Sequence, residues 1–135
     1  MEFKKCARCG CFYTSNDNVC YNCLSKERFE MNKFKGANNR AYYSIFHAIK
    51  SILALEQKDF KKHSSVVAYF NKEYISTNIF SHELGRKVSE ARFFREKSDY
   101  VDFYIVTKEE CKRQIETARL MIETAEKYIN EKIGN

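Results

Sequence analysis

Two Cys-x-x-Cys pairs, Cys6-Ala-Arg-Cys9 and Cys20-Tyr-Asn-Cys23, stand ten residues apart near the start of the chain. A CxxC turn brings two thiolates to one side of a tight knuckle, and two knuckles supply the four sulfurs of the tetrahedral shell that Zn²⁺ prefers. Four thiolates leave no open coordination position, so the expected role of the ion is structural. It would fold a segment too small to bury a core of its own. Gly10 supplies the permissive backbone such a knuckle needs, and FYTSNDN (residues 12–18) reads as the polar tip of a short hairpin. A redox pair or a disulfide framework fits less well, because neither a βαβ pattern nor a sign of an oxidising compartment accompanies the cysteines. Cys11 is the spare thiol. It reads as a bystander, although its closeness to Cys9 leaves the choice of ligand open.

A second group of reactive side chains lies on NRAYYSIFH, residues 39–47. Arg40 and His47 are seven residues apart, about two helical turns, so both project from one face. Tyr43 lies one turn before His47. Tyr42, Ile45, Ile49 and Ile52 recur at the spacing of a buried stripe. One helix thus packs a core while carrying a cation, an imidazole and a phenol. Farther on, Arg95 and Asp99 stand four apart, ready to pair across one turn, with Tyr100 next to them. His63 and His82 read as local structure beside helix starts, and Cys111 as core packing. Nothing has the spacing of a serine or cysteine hydrolase, a carboxylate-bound metal site or a nucleotide-binding loop.

These residues need helices to position them. The 135 residues make one ordinary domain, or a domain plus a small appendage, and the hydrophobic share of 44% suffices for a core. Proline is absent and glycine appears four times, which suits a helical bundle. A helix is expected from Leu24 to about Phe34, with Leu24, Arg28, Met31 and Phe34 as its stripe and Gly36 as its end or hinge. The next runs over about 38–56. After the polar connector QKDFKKH, Ser64 or Ser65 caps a helix of about ten residues with Val66, Val67, Phe70 and Tyr74 inward. Ser81 caps another, with Leu84, Val88, Ala91 and Phe94 at core spacing, ending near Lys97; Gly85 within it either weakens the helical pattern or marks a close helix contact. Residues 99–106 read as a linker or short turn. Thr107-Lys-Glu-Glu110 is a capping box, and Cys111, Ile115, Ala118, Ile122, Ala125 and Ile129 form the seam of the last helix.

The net charge is +6, and residues 1–40 hold eight Lys/Arg against four Asp/Glu. That excess suits a phosphate backbone or an acidic partner, and equally a solvated surface. No apolar run reaches the length of a membrane span and no export segment is evident, so the expectation is a cytoplasmic protein without membrane contact.

FKGANNRAYYSIFHAIKSIL, KKHSSVVAYFNKEYI and ARFFREKSDYVDFY, in that order before a long last helix, resemble the HEPN family. The likeness is to the branch encoded beside minimal nucleotidyltransferases, and it covers about residues 36–131. The cysteine segment resembles a zinc ribbon. Together they imply an all-α, antiparallel four- or five-helix bundle (25–135) preceded by a small zinc ribbon (1–24), usually dimeric. The family implies a metal-independent endoribonuclease toxin checked by a nucleotidyltransferase antitoxin, or a non-catalytic module binding RNA, nucleotide or protein. Its catalytic motif is an Arg followed after four to six residues by a His; here RxxxDY stands in that place. The resemblance therefore puts Arg95, Asp99 and Tyr100 in the site, with Arg40 and His47 beside them. A third reading gives the ribbon a DNA contact through Lys4, Lys5 and Arg8.

Overall fold

The structure, a computed structural model, describes residues 4–9, 12–13 (backbone only), 20–101 and 104–134. Its axis is α2, Phe34–Ala54. The expected stripe of Tyr42, Ile45, Ile49 and Ile52 is buried, each residue at most 2% exposed. A fully buried isoleucine contributes about 1.5–3 kcal/mol, so this stripe is a main source of stability. α2 packs most extensively on α5 (Lys108–Ile133) and on α1 (Tyr21–Glu30). α3 (His63–Phe70) and α4 (His82–Tyr100) close the core with Val66, Phe70, Leu84, Val88 and Ala91. The result is the all-α bundle that the sequence predicts, with a small cysteine-bearing unit at its front. No helix among the described residues is long and apolar enough to cross a membrane.

That unit holds a minimal ladder: β1 (Lys4–Lys5) pairs antiparallel with β2 (Phe12–Tyr13), Lys4 opposite Tyr13. It closes around the first CxxC, where the sequence suggested a hairpin over 12–18. Residues 14–18, Gly10 and Cys11 lie outside the described residues. α1 begins at Tyr21, three residues before the expected start, because Cys20 caps it: its sulfur accepts from the Cys23 backbone N–H at 3.4 Å. Buried Ser25 then donates to the Ala37 carbonyl at 2.6 Å, tying α1 to α2.

Three boundaries differ from expectation for local reasons. The α1–α2 break falls at Asn32, whose φ of 59° is a left-handed conformation that asparagine tolerates. Gly36 therefore lies inside α2, and its role is spatial: a Cβ there would come within 2.9 Å of Arg28 Cδ. α3 begins at His63 behind Lys62 with no side-chain cap, so Ser64 and Ser65 are helical residues rather than caps. It then widens into a π-turn, Asn71–Ile75, which buries Tyr74 and Ile75 side by side.

The last two helices keep their predicted starts. Ser81 accepts from Leu84 N at 3.2 Å, and Thr107 and Glu110 form both halves of the capping box. Gly85 is a close contact, with Ile75 Cγ2 2.8 Å from the position a Cβ would take. α4 continues to Tyr100, which makes Asp99 and Tyr100 helical, while Phe94 is only half-buried. Along α5 the buried row is Cys111, Gln114, Ala118, Met121, Ala125 and Ile129, with Ile115 and Ile122 on its rim. Gln114 earns its interior place by donating to the Ala91 carbonyl at 2.9 Å. Cys111 packs with Ala37 and Val106, and burial pushes its thiol up to about 11, as fits a core thiol.

Candidate functional site

The late turns of α4 bring Arg95 against the middle of α2. Its guanidinium lies 5.4 Å, 5.5 Å and 5.8 Å from the ring centres of Tyr42, Tyr43 and Tyr100. A planar, weakly hydrated guanidinium gains from such a cage while keeping its charge. Arg95 also donates to the Tyr43 hydroxyl at 3.2 Å. Its Nε is 2.9 Å from Asp99 Oδ2, an ion pair at a misaligned angle, since that buried N–H has no hydrogen-bond partner. Asn39 links the pair to α2: it donates to Asp99 at 3.5 Å and accepts from Arg40 at 3.1 Å. Arg40, Asn39, Asp99, Arg95 and Tyr43 thus form one continuous chain of polar contacts. Tyr100 stands at its edge, 72% exposed.

His47 is two turns from Arg40 but lines a different space. It sits in a cavity between α1, α2 and α5 with Tyr21, Ser44, Ala48 and Ile122. Its ring stacks on Tyr21, centroids 5.2 Å apart at 17°, and lies 6.4 Å from Tyr43. Burial, with the charges of Lys50 and His63 behind it, drives its pKa down to about 4. At neutral pH it is an uncharged imidazole.

The imidazole nearer to Arg95 is His63, a residue that sequence reasoning set aside. From the first turn of α3 it stacks on Phe46 at 4.0 Å and meets the Tyr43 ring edge-on at 5.9 Å. Burial lowers its pKa, and the positive charges of Arg95, Lys50 and Arg92 lower it further. His63 is far from the α2 and α4 motifs in sequence; the basic run KKH at a helix start was its only signal. His82 is local as expected, paired with Asn78 at 2.9 Å on the surface.

The four cysteines converge separately. Cys6 and Cys23 sulfurs are 3.8 Å apart, Cys9 and Cys20 sulfurs 3.7 Å, and all four lie within 4.8 Å of one another. A tetrahedron with metal–sulfur bonds of about 2.3 Å has edges of about 3.8 Å, so the spacing fits a thiolate-bound ion. The backbone N–H groups of Arg8 and Cys20 each point at the Cys6 sulfur at 3.4 Å. Burial would raise the Cys6 pKa, but these donors and that of Cys9 carry it below the ordinary value. Burial and the neighbouring sulfurs push Cys23 the other way. Arg8 anchors the knuckle to α1 through Glu27 at 2.6 Å. Both side chains are well exposed, so this anchor is weak.

From Tyr21 to Tyr128 the chain matches the family profile described as the HEPN domain. The chain belongs to the HEPN family. Among HEPN relatives it is 33% identical over 96 residues to a candidate toxin of Methanocaldococcus jannaschii, covering 71% of this chain. It spans 65% of that relative's length, just under two thirds. A UPF0332 protein of Thermotoga maritima is 30% identical over 99 residues, 73% of this chain and 75% of its own. A second candidate toxin of M. jannaschii is 29% identical over 107 residues, 79% of each chain. The family expected from NRAYY and RxxxDY is thereby shown; Cys6, Cys9 and Cys20 precede the matched stretch, and Cys23 lies just inside it.

Proposed function

We propose that this HEPN protein is a toxin-type endoribonuclease that acts at the cleft between α2, α3 and α4. The observation that carries the reading is the pairing of Arg95 and His63 on the same Tyr43 ring. Cleavage through the ribose 2′-hydroxyl needs a group to move a proton and a cation to steady the charge growing on the phosphorane. A lowered pKa keeps His63 neutral and able to accept the 2′-hydroxyl proton, while Arg95 supplies the cation. Attack of the 2′-oxygen on phosphorus breaks the bond to the 5′-oxygen, which takes up a proton. The products are a 2′,3′-cyclic phosphate and a 5′-hydroxyl. Asp99 orients Arg95, Tyr100 guards the rim, and Arg40 acts through Asn39. We assign His47 to the packing of α1 rather than to the reaction, because it stacks on Tyr21 and lines the cavity between α1, α2 and α5.

In this reading zinc occupies the cysteine quartet and holds α1, and residues 1–24 act as its appendage. A second copy covers the exposed Phe93, Val101 and Ile105. A nucleotidyltransferase partner in the cytoplasm restrains the toxin. The test is RNA cleavage by zinc-loaded protein during brief exposure to EDTA, beside Arg95→Ala, His63→Ala and His47→Ala. Loss of cyclic-phosphate ends in the first two and retention in the third is expected. Intact RNA with folded wild-type protein refutes the nuclease.

One observation favours a second reading, a non-catalytic RNA-binding module. Asp99 already neutralises Arg95, and α4 carries no histidine after that arginine. Salt-sensitive binding without cleavage would identify it.

A further inference from the structure

Between α1 and α2 lies a cleft lined by Tyr21, Leu24, Arg28, Asn39, Arg40 and Tyr43. Arg28 reaches it by lying flat across α2 at Gly36, where a Cβ would stand 2.9 Å from its Cδ and 3.1 Å from its Nε. Arg40 follows Gly36 by one turn on the same face of α2. Both arginines therefore line one concave space. None of the lining side chains is acidic. Among the described residues neither arginine forms a salt bridge with a carboxylate, and Arg40 donates a hydrogen bond to the neutral Asn39 amide. Of the nearby acids, Glu27 pairs with Arg8 and also feels the charge of Arg28, while Asp99 pairs with Arg95. Two arginines that line one cleft without a close ion pair offer a site for a bound anion.

The cleft also carries two aromatic rings, Tyr21 and Tyr43, with centres 5.9 Å apart and tilted by 38°, one face of Tyr21 being stacked on His47. Tyr43 belongs to both places, since its hydroxyl takes the hydrogen bond from Arg95. Unpaired arginines beside tyrosine rings are the chemistry of single-stranded RNA, whose phosphates take the guanidiniums and whose unstacked bases take the rings. We infer that the α1–α2 cleft is an RNA-strand subsite in which Arg28 and Arg40 hold backbone phosphates and Tyr21 and Tyr43 receive a base. The strand passes from there to Arg95. This rests on the RNA reading given above, and it adds Arg28 and Tyr21, which neither the motif nor the catalytic cluster contains.

The experiment measures binding of a fluorescent 2′-O-methyl oligouridylate, which cannot be cut through its 2′-oxygen, to full-length zinc-loaded protein across a salt series. Arg28→Gln and Arg40→Gln should each weaken binding by roughly three- to tenfold and flatten the logarithmic salt slope by about 0.7, the value per phosphate for single strands. Arg28→Lys and Arg40→Lys keep the charge and should restore most of that slope, which also separates charge from folding. Arg119→Gln, exposed on α5, should change neither quantity. Thermal melting of every variant confirms the fold. Wild-type binding that is unchanged in both glutamine variants overturns the subsite while leaving RNA as the ligand of the protein. Absence of wild-type binding overturns the RNA reading and the subsite with it. Competition by uridine monophosphate as strong as by the oligomer would replace the strand with a mononucleotide and also refute the inference.

Discussion

The ring of Tyr21 lies face to face with that of His47, 5.2 Å away, and Tyr21 directly follows Cys20. The cysteine knuckle and the buried imidazole are therefore mechanically in series. Whatever holds Cys20 in place also holds the lid over His47.

That lid has a pH signature. His47 titrates at about 4 when folded and near its ordinary 6.5 when unfolded, chiefly because of burial. The unfolded chain binds the extra proton between those values, so stability is fully present above pH 6.5 and declines as pH falls toward 4. The size is on the order of 3 kcal/mol. His63, shifted in the same direction, adds to the slope. Denaturant midpoints from pH 7 to pH 4.5 should fall steeply in the wild type and less steeply in His47→Phe. Equal slopes would show that burial of this ring does not govern acid stability.

The knuckle should take one equivalent of zinc, and cobalt in its place should give the absorption of tetrahedral thiolate ligation. Cys6→Ser or Cys23→Ser should abolish stoichiometric uptake. Chelation should lower the melting temperature and expose the α1 amides to exchange, because Cys20 is at once a ligand candidate and the cap of α1. Unaltered α1 protection after metal removal would argue that the helix stands on its packing alone.

Arg95 and Asp99 should have opposite effects on RNA affinity. Arg95→Ala removes the cation and should cut cleavage by about 10²–10³, the scale of one transition-state donor. Asp99→Asn frees the guanidinium from its carboxylate and should raise RNA affinity several-fold, read by anisotropy. A fall in affinity in Asp99→Asn would mean that the ion pair is needed to aim Arg95.

Two helical glycines should respond differently to alanine. At Gly85 the new methyl meets the branched, buried Ile75 side chain at 2.8 Å, and the strain should outweigh the helix-propensity gain by about 1–2 kcal/mol. At Gly36 it meets the flexible Arg28 stem, which can move, so stability should change by less than about 1 kcal/mol. Chemical denaturation of both variants provides the comparison.

Much of the scaffold could be read from short-range chemistry. Ser81 and the Thr107–Glu110 box are self-contained signals, and the α2 stripe needs only its own periodicity. What failed depended on neighbours distant in sequence. Gly36 looked like a stop signal because Arg28, which needs its missing side chain, is not adjacent to it. Ser64 and Ser65 looked like caps, yet α3 starts earlier, where His63 can stack on Phe46. The α5 seam was shifted because Gln114 reads as polar until its carbonyl partner on α4 is known. The Arg95–Asp99 ion pair followed from i,i+4 spacing and its place in the candidate site from the HEPN resemblance, whereas His63 joins them only through tertiary packing.

The π-turn at Asn71–Ile75 makes this segment one residue longer than a regular helix of the same rise. It is thus the place where the chain can best absorb a change of length. Deleting Lys72 would let the turn tighten to α geometry while Phe70 and the residues after Asn78 stay near their positions. Deleting Val67, in the regular helix, would rotate every later side chain by about 100°. The bundle thus carries its own slack, stored in one loosened turn next to Gly85 and well away from Arg95.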